Sequence, residues 1–119
     1  MLRKLSSIFL TALLLCVPLP AQAAHSASLT IVDTVNGTGT TYNFYRAAGT
    51  CPVNGLGTLT WVKLTTTPIS GLTYTDNSIT VGAWCFYATA IVNGVESAPS
   101  NTAGGTAKPN TITFSVVIQ

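Results

Sequence analysis

Few side chains in this sequence could do chemistry, and their spacing limits what that chemistry could be. Past residue 23 the candidates are His25, Asp33, Asp76, Glu96, Cys51 and Cys85. A cysteine nucleophile needs a base held against it, and the one histidine sits at the start of this stretch, far from both cysteines. A closed zinc site takes four Cys or His ligands, more than this set supplies, and no Cys-x-x-Cys redox pair occurs. The three acids fall in separate turn-rich stretches, which suits neither paired carboxylates nor the clustered oxygens of a calcium site. No Gly-x-Ser-x-Gly, His-Glu-x-x-His, phosphate-loop or dinucleotide pattern is present. The sequence therefore predicts no catalytic residues, no metal and no cofactor.

What remains for Cys51 and Cys85 is each other. Their compartment follows from the N-terminus. Arg3 and Lys4 form a positive region, Ile8 to Leu15 is apolar, Pro18 and Pro20 break the run, and Ala21-Gln22-Ala23 fits a small-x-small cleavage site. This order is that of a secretory signal peptide over residues 1–23. The apolar stretch is short for a membrane span, and Leu15 before Cys16 is too large for a lipoprotein signal. Removal of residues 1–23 leaves an even pair of cysteines in an exported domain, residues 24–119, which predicts a Cys51–Cys85 disulfide. A loop of this length should gain about 3–4 kcal/mol from the cross-link.

Charge narrows the partners. The whole chain carries +2, but Arg3 and Lys4 account for it. The remainder sets Arg46, Lys63 and Lys108 against Asp33, Asp76 and Glu96. A neutral domain has no basic patch for nucleic acid or anionic lipid, and weak repulsion between copies favours association. The expected partner is a protein or glycan at the cell exterior, with self-association as the alternative. Asn36-Gly37-Thr38 also fits an N-glycosylation sequon.

The elements that must position these residues are strands. Helical periodicity is absent, and short β-rich runs alternate with Gly, Asn, Pro and Ser clusters. The runs are Ser28 to Val32, Thr41 to Ala47, Thr58 to Leu64, Leu72 to Asp76, Asn77 to Val81, Ala83 to Val92, a loose run from Val95, and Thr111 to Ile118. Alternation sets Tyr42, Phe44 and Arg46 on one face of their strand, with Asn43 and Tyr45 on the other. It likewise groups Trp84, Phe86, Ala88 and Ala90 against Cys85, Tyr87, Thr89 and Ile91. Asn93-Gly94 marks a hairpin. The loop Gly49 to Gly57, with Pro52 and Asn54, is a candidate contact surface. Tyr45 and Trp61 could join it as an aromatic platform for sugars, although packing on the sheet is the simpler role for them.

In this order the runs resemble bacterial fibronectin type III domains, over about His25 to Ala107. The carriers are Thr41-Tyr42-Asn43-Phe44-Tyr45-Arg46, Leu72-Thr73-Tyr74-Thr75-Asp76, Gly82 to Ala90, Asn93 to Asn101, and His25 to Val32. The resemblance implies an all-β, immunoglobulin-like sandwich of about seven strands that serves as a non-catalytic binding or structural module. It further implies that Cys85 faces outward from its sheet and that Cys51 pins a loop over it. It matches Asp76 to a strand end and a turn-forming role. Val32 replaces the family's core tryptophan, and Trp84 replaces a corner tyrosine whose hydroxyl bonds the backbone. Trp61 and Trp84 are then candidates to refill the core. The family's first strand has no counterpart ahead of His25. Thr111 to Ile118, with Ile112, Phe114, Val116 and Ile118 on one face, reads like that strand at the opposite end. Three placements stay open: it extends the last strand, it folds back into the first-strand position, or it completes a neighbouring copy.

Overall fold

A computed structural model describes residues 24–110. The signal-peptide reading at 1–23 and the strand-exchange candidates Ile112, Phe114, Val116 and Ile118 lie outside the described residues. Among those described there are seven strands and no helix: β1 (His25–Thr30), β2 (Thr41–Ala48), β3 (Val62–Lys63), β4 (Thr73–Ile79), β5 (Gly82–Val92), β6 (Val95–Glu96) and β7 (Ala103–Ala107). β1 and β4 form a two-stranded sheet, while the second sheet runs β3-β2-β5-β6 with β7 also on β5. Every pairing is antiparallel.

The sheets pack face to face because alternate residues of each are apolar. Tyr42, Phe44 and Ala88 form the buried centre, met from the other sheet by Leu29 and Tyr74, with Ile31 just beyond β1. The Phe44 and Tyr74 rings stack with centroids 5.3 Å apart, a spacing at which aromatic pairs attract beyond their buried area. β2 and β5 pair over their full overlap, Thr41 against Ile91 to Ala48 against Trp84, so the two strongest β-runs of the sequence make the spine. Asn93 and Gly94, both at positive φ (50° and 76°), turn β5 into β6, as the Asn-Gly pair predicts.

Several boundaries differ from the sequence reading. β1 starts earlier, and Val32 is 87 % exposed, so it is not a core residue. Thr58 to Leu64 yields only the two residues of β3. The run ending at Asp76 and the run from Asn77 are one strand, β4, because Asp76 is a mid-strand residue. Its carboxylate meets Arg46 Nη1 at 2.6 Å and takes the amide and hydroxyl of Ser78. Burial opposes ionisation of Asp76, but the bonds from Ser78 and Arg46 outweigh it and hold the carboxyl below its ordinary range. The turn-forming role expected for Asp76 is therefore replaced by an ion pair across the two sheets. Neither tryptophan fills the core: both are half-buried. Trp84 instead donates its indole N–H to Thr80 O at 2.8 Å, a backbone bond that needs no tyrosine hydroxyl, and Arg46 lies 4.8 Å over its ring.

Candidate functional site

Three places bring chemistry-bearing residues together. The first is the disulfide. Cys51 and Cys85 are bonded, with Cα atoms 5.0 Å apart. Cys85 sits in the middle of the second sheet, flanked by Ala47 on β2 and Gly104 on β7. It shares the outward alternation of Tyr87, yet it is fully buried, because the loop carrying Cys51 covers it. Gly104 makes that cover possible. A Cβ there would stand 2.5 Å from Trp84 O and 2.7 Å from Cys51 Sγ, closer than unbonded atoms approach. The bridge is consistent with an oxidising, extracytoplasmic location.

The second place is the outer face of β2 and β5. Tyr45 and Tyr87 are cross-strand partners whose rings stack at 4.5 Å, only 8° from parallel. Trp61 meets Tyr87 edge-on at 4.7 Å and donates its indole N–H to Leu56 O at 3.1 Å. Glu96, on β6, accepts from Tyr45 Oη at 2.7 Å, from Asn43 Nδ2 at 3.2 Å, and from Thr89 Oγ1. The Thr89 bond first, then those of Tyr45 and Asn43, lower the Glu96 pKa from 4.5 to about 2. Burial, followed by the Glu96 bond, pushes the Tyr45 phenol up to about 12. A carboxylate this acidic, with three donors, stays ionised and transfers no proton near neutral pH. Glu96, which the sequence leaves at an isolated turn, is thus the polar hub of this face, and Tyr87 is its aromatic centre.

The candidate contact residues divide around this cluster. The structure brings Tyr45 and Trp61 to the same face through Tyr87. One face of the Tyr45 ring and the edge contact of Trp61 are spent on packing. Pro52 is half-buried, and its ring lies against Gly57. Asn54 stands exposed near the loop tip beside Val53, which is 98 % exposed. Among the described residues no three His, Cys, Asp or Glu side chains are grouped to hold a metal.

The third place is a groove along β1. Among the described residues β1 pairs with β4 alone. Ile31 N donates to Leu72 O, and Leu29 and Ala27 share that register. Alternation then turns the peptide groups of Ser28 and Thr30 away from β4, toward an unpaired edge. Between this edge and β7 the sandwich is open. A cavity of about 530 Å³ is lined by Leu29, Ile79, Trp84, Phe86 and Ala107. A second, of about 380 Å³, continues past Leu29 to Val32 and Asn101. Strand-forming residues without a neighbour are hard to recognise from local pattern.

No protein-family model matches the chain, and no curated protein matches it.

Proposed function

We propose that this chain is a non-catalytic binding and structural module of the cell exterior, delivered by its N-terminal signal, and that it engages extended polypeptide by adding a strand to the free edge of β1. The observation that carries this reading is the coincidence of an unpaired edge with an apolar groove beneath it. Main-chain hydrogen bonds to Ser28 and Thr30 would give affinity, and alternate side chains entering the groove would give selectivity. The two-sheet arrangement supports the resemblance to a fibronectin type III sandwich that lacks its first strand. The second place, the aromatic face, is weaker as a binding site because its rings pack on one another.

Backbone amide NMR tests the reading. Titration of the purified protein with an apolar, β-branched peptide should move the amides of Ser28 and Thr30. Oligosaccharides should leave them unchanged. Shifts with oligosaccharide centred on Tyr45, Trp61 and Tyr87, with β1 silent to every peptide, would replace the strand reading with a glycan one.

A further inference from the structure

We infer that the segment entering the β1 groove is Thr111–Ile118 of a second copy, so that the protein assembles head to tail. This rests on the strand-addition reading and names its partner. The chemistry of the segment fits. Thr-Ile-Thr-Phe-Ser-Val-Val-Ile carries no charge, is rich in β-branched residues, and alternates Ile112, Phe114, Val116 and Ile118. In strand conformation those four side chains lie on one face. The groove offers Leu29, Ile79, Trp84 and Phe86 to meet them. Eight residues are also enough to run the length of β1, which has six.

Geometry decides between the chain's own segment and that of a neighbour. The groove has β1 on one side and β7 on the other, and the two run in opposite directions: His25 lies at the Ala107 end, and Val32 at the Asn101 end. A strand antiparallel to β1, like every other pair in the molecule, would have to start at the Val32 end. The chain leaves β7 at the opposite end. Three residues, Lys108, Pro109 and Asn110, separate β7 from Thr111. The four steps from Ala107 to Thr111 cover about 14 Å at most. The starting end lies at Asn101, six residues back from Ala107 and about 20 Å away along the chain, so this link does not return to it. Parallel entry would require a full reversal after β7, and none begins within Lys108–Asn110. Short links of this kind favour exchange between copies over self-docking. Donor and acceptor surfaces differ, so the contact is heterologous and propagates as an open chain.

The test is molar mass by light scattering over a hundredfold concentration range. The full chain should climb through multiples of the protomer. Ser28→Pro removes an amide that faces the free edge and spares the ladder to β4. That variant, and a chain ending at Asn110, should each stay at one protomer. Mixed together, the first supplies a donor and the second an acceptor, and they should form a one-to-one dimer that grows no further. A full chain of constant mass would overturn self-assembly. If the synthetic peptide Thr111–Gln119 then binds the shortened chain, the strand-addition reading stands and the segment docks in its own groove. If the peptide does not bind, both fail. Assembly that survives both variants would overturn the inference as well.

Discussion

Replacement of both Cys51 and Cys85 by alanine should cost this domain about 4 kcal/mol. The bridge joins residues 34 apart in sequence. The entropy withheld from an unfolded loop of that size amounts to about 4 kcal/mol at room temperature. Domains of this size are stable by about 5–15 kcal/mol in all, so a large share would go. The corresponding fall in melting temperature is roughly 15–30 °C. Alanine is preferable to serine because Cys85 is 0 % exposed, and a hydroxyl enclosed there would add a desolvation cost of its own. Urea unfolding, followed through the fluorescence of Trp61 and Trp84, should show a lower midpoint. The steeper dependence on urea expected of a more expanded denatured chain should accompany it. A loss below about 1 kcal/mol would refute the reasoning. It would mean that the loop is held by the Gly49 N to Ala83 O bond and the Trp61 to Leu56 bond, and that the denatured chain is constrained by something other than the cross-link.

Gly104→Ala should destabilise by about 1–3 kcal/mol through overpacking, since its new Cβ meets Trp84 O and Cys51 Sγ; the midpoint of urea unfolding checks this, and amide exchange should show β7 loosening first. Arg46→Met strands the carboxylate of Asp76, 3 % exposed, at a cost of about 3 kcal/mol. The double variant Arg46→Met/Asp76→Leu should recover much of that loss in the same measurement. The Glu96 cluster gives stability a pH window. Glu96 drops from 4.5 to about 2 on folding, so its contribution is present above pH 4.5 and fades as pH falls toward 2. Tyr45 rises from 10.0 to about 12, so its contribution is present below pH 10 and fades as pH climbs toward 12. Thermal unfolding across pH should decline at both ends, and Glu96→Gln should make the acid limb shallower while leaving the part that Asp33 and Asp76 contribute.

The class of fold was legible in the sequence because strands announce themselves by alternation. Tyr42/Phe44 and Phe86/Ala88 fall on the inner face that periodicity assigns them, and Asn93-Gly94 turns where its backbone preferences require. The disulfide was legible once residues 1–23 are set aside, because two cysteines then remain. What alternation cannot supply is register. Tyr45 faces Tyr87, and Glu96 reaches Tyr45, Asn43 and Thr89, only because β2 and β5 pair as they do. Spacing along one strand holds no record of that pairing. The same gap hid the pairing of Asp76 with Arg46. The division of Leu72 to Val81 into two runs failed because Asp76 and Asn77 look like turn formers, whereas a cross-sheet arginine overrides that local preference. Trp84 was misjudged for a related reason. The indole lacks the tyrosine hydroxyl, but its N–H reaches a carbonyl four residues back.

Among the described residues, the edge of β1 that faces away from β4 stands apart from the other strand edges in how little guards it. Proteins blunt exposed strand edges with charge, proline, brevity or side chains turned onto the backbone. β3 is two residues long, carries Lys63 and leads toward Pro68. β7 holds two adjacent glycines and ends before Lys108 and Pro109. On β4 the Asp76 carboxylate takes the Ser78 amide within an irregular stretch of the ladder. β1 has a register irregularity at His25–Ala27, but from Ala27 to Thr30 it carries neither charge nor proline. Ser26, Ser28 and Thr30 are small, neutral and exposed, and the side chains between them, Ala27 and Leu29, are only half-covered. An unguarded edge over an apolar groove is an aggregation hazard in a domain that works alone, and it is tolerable where a partner strand normally closes it. The uncharged, β-branched segment at residues 111–118 carries the same hazard in its composition. Each feature alone is a liability, and each is accounted for by the other.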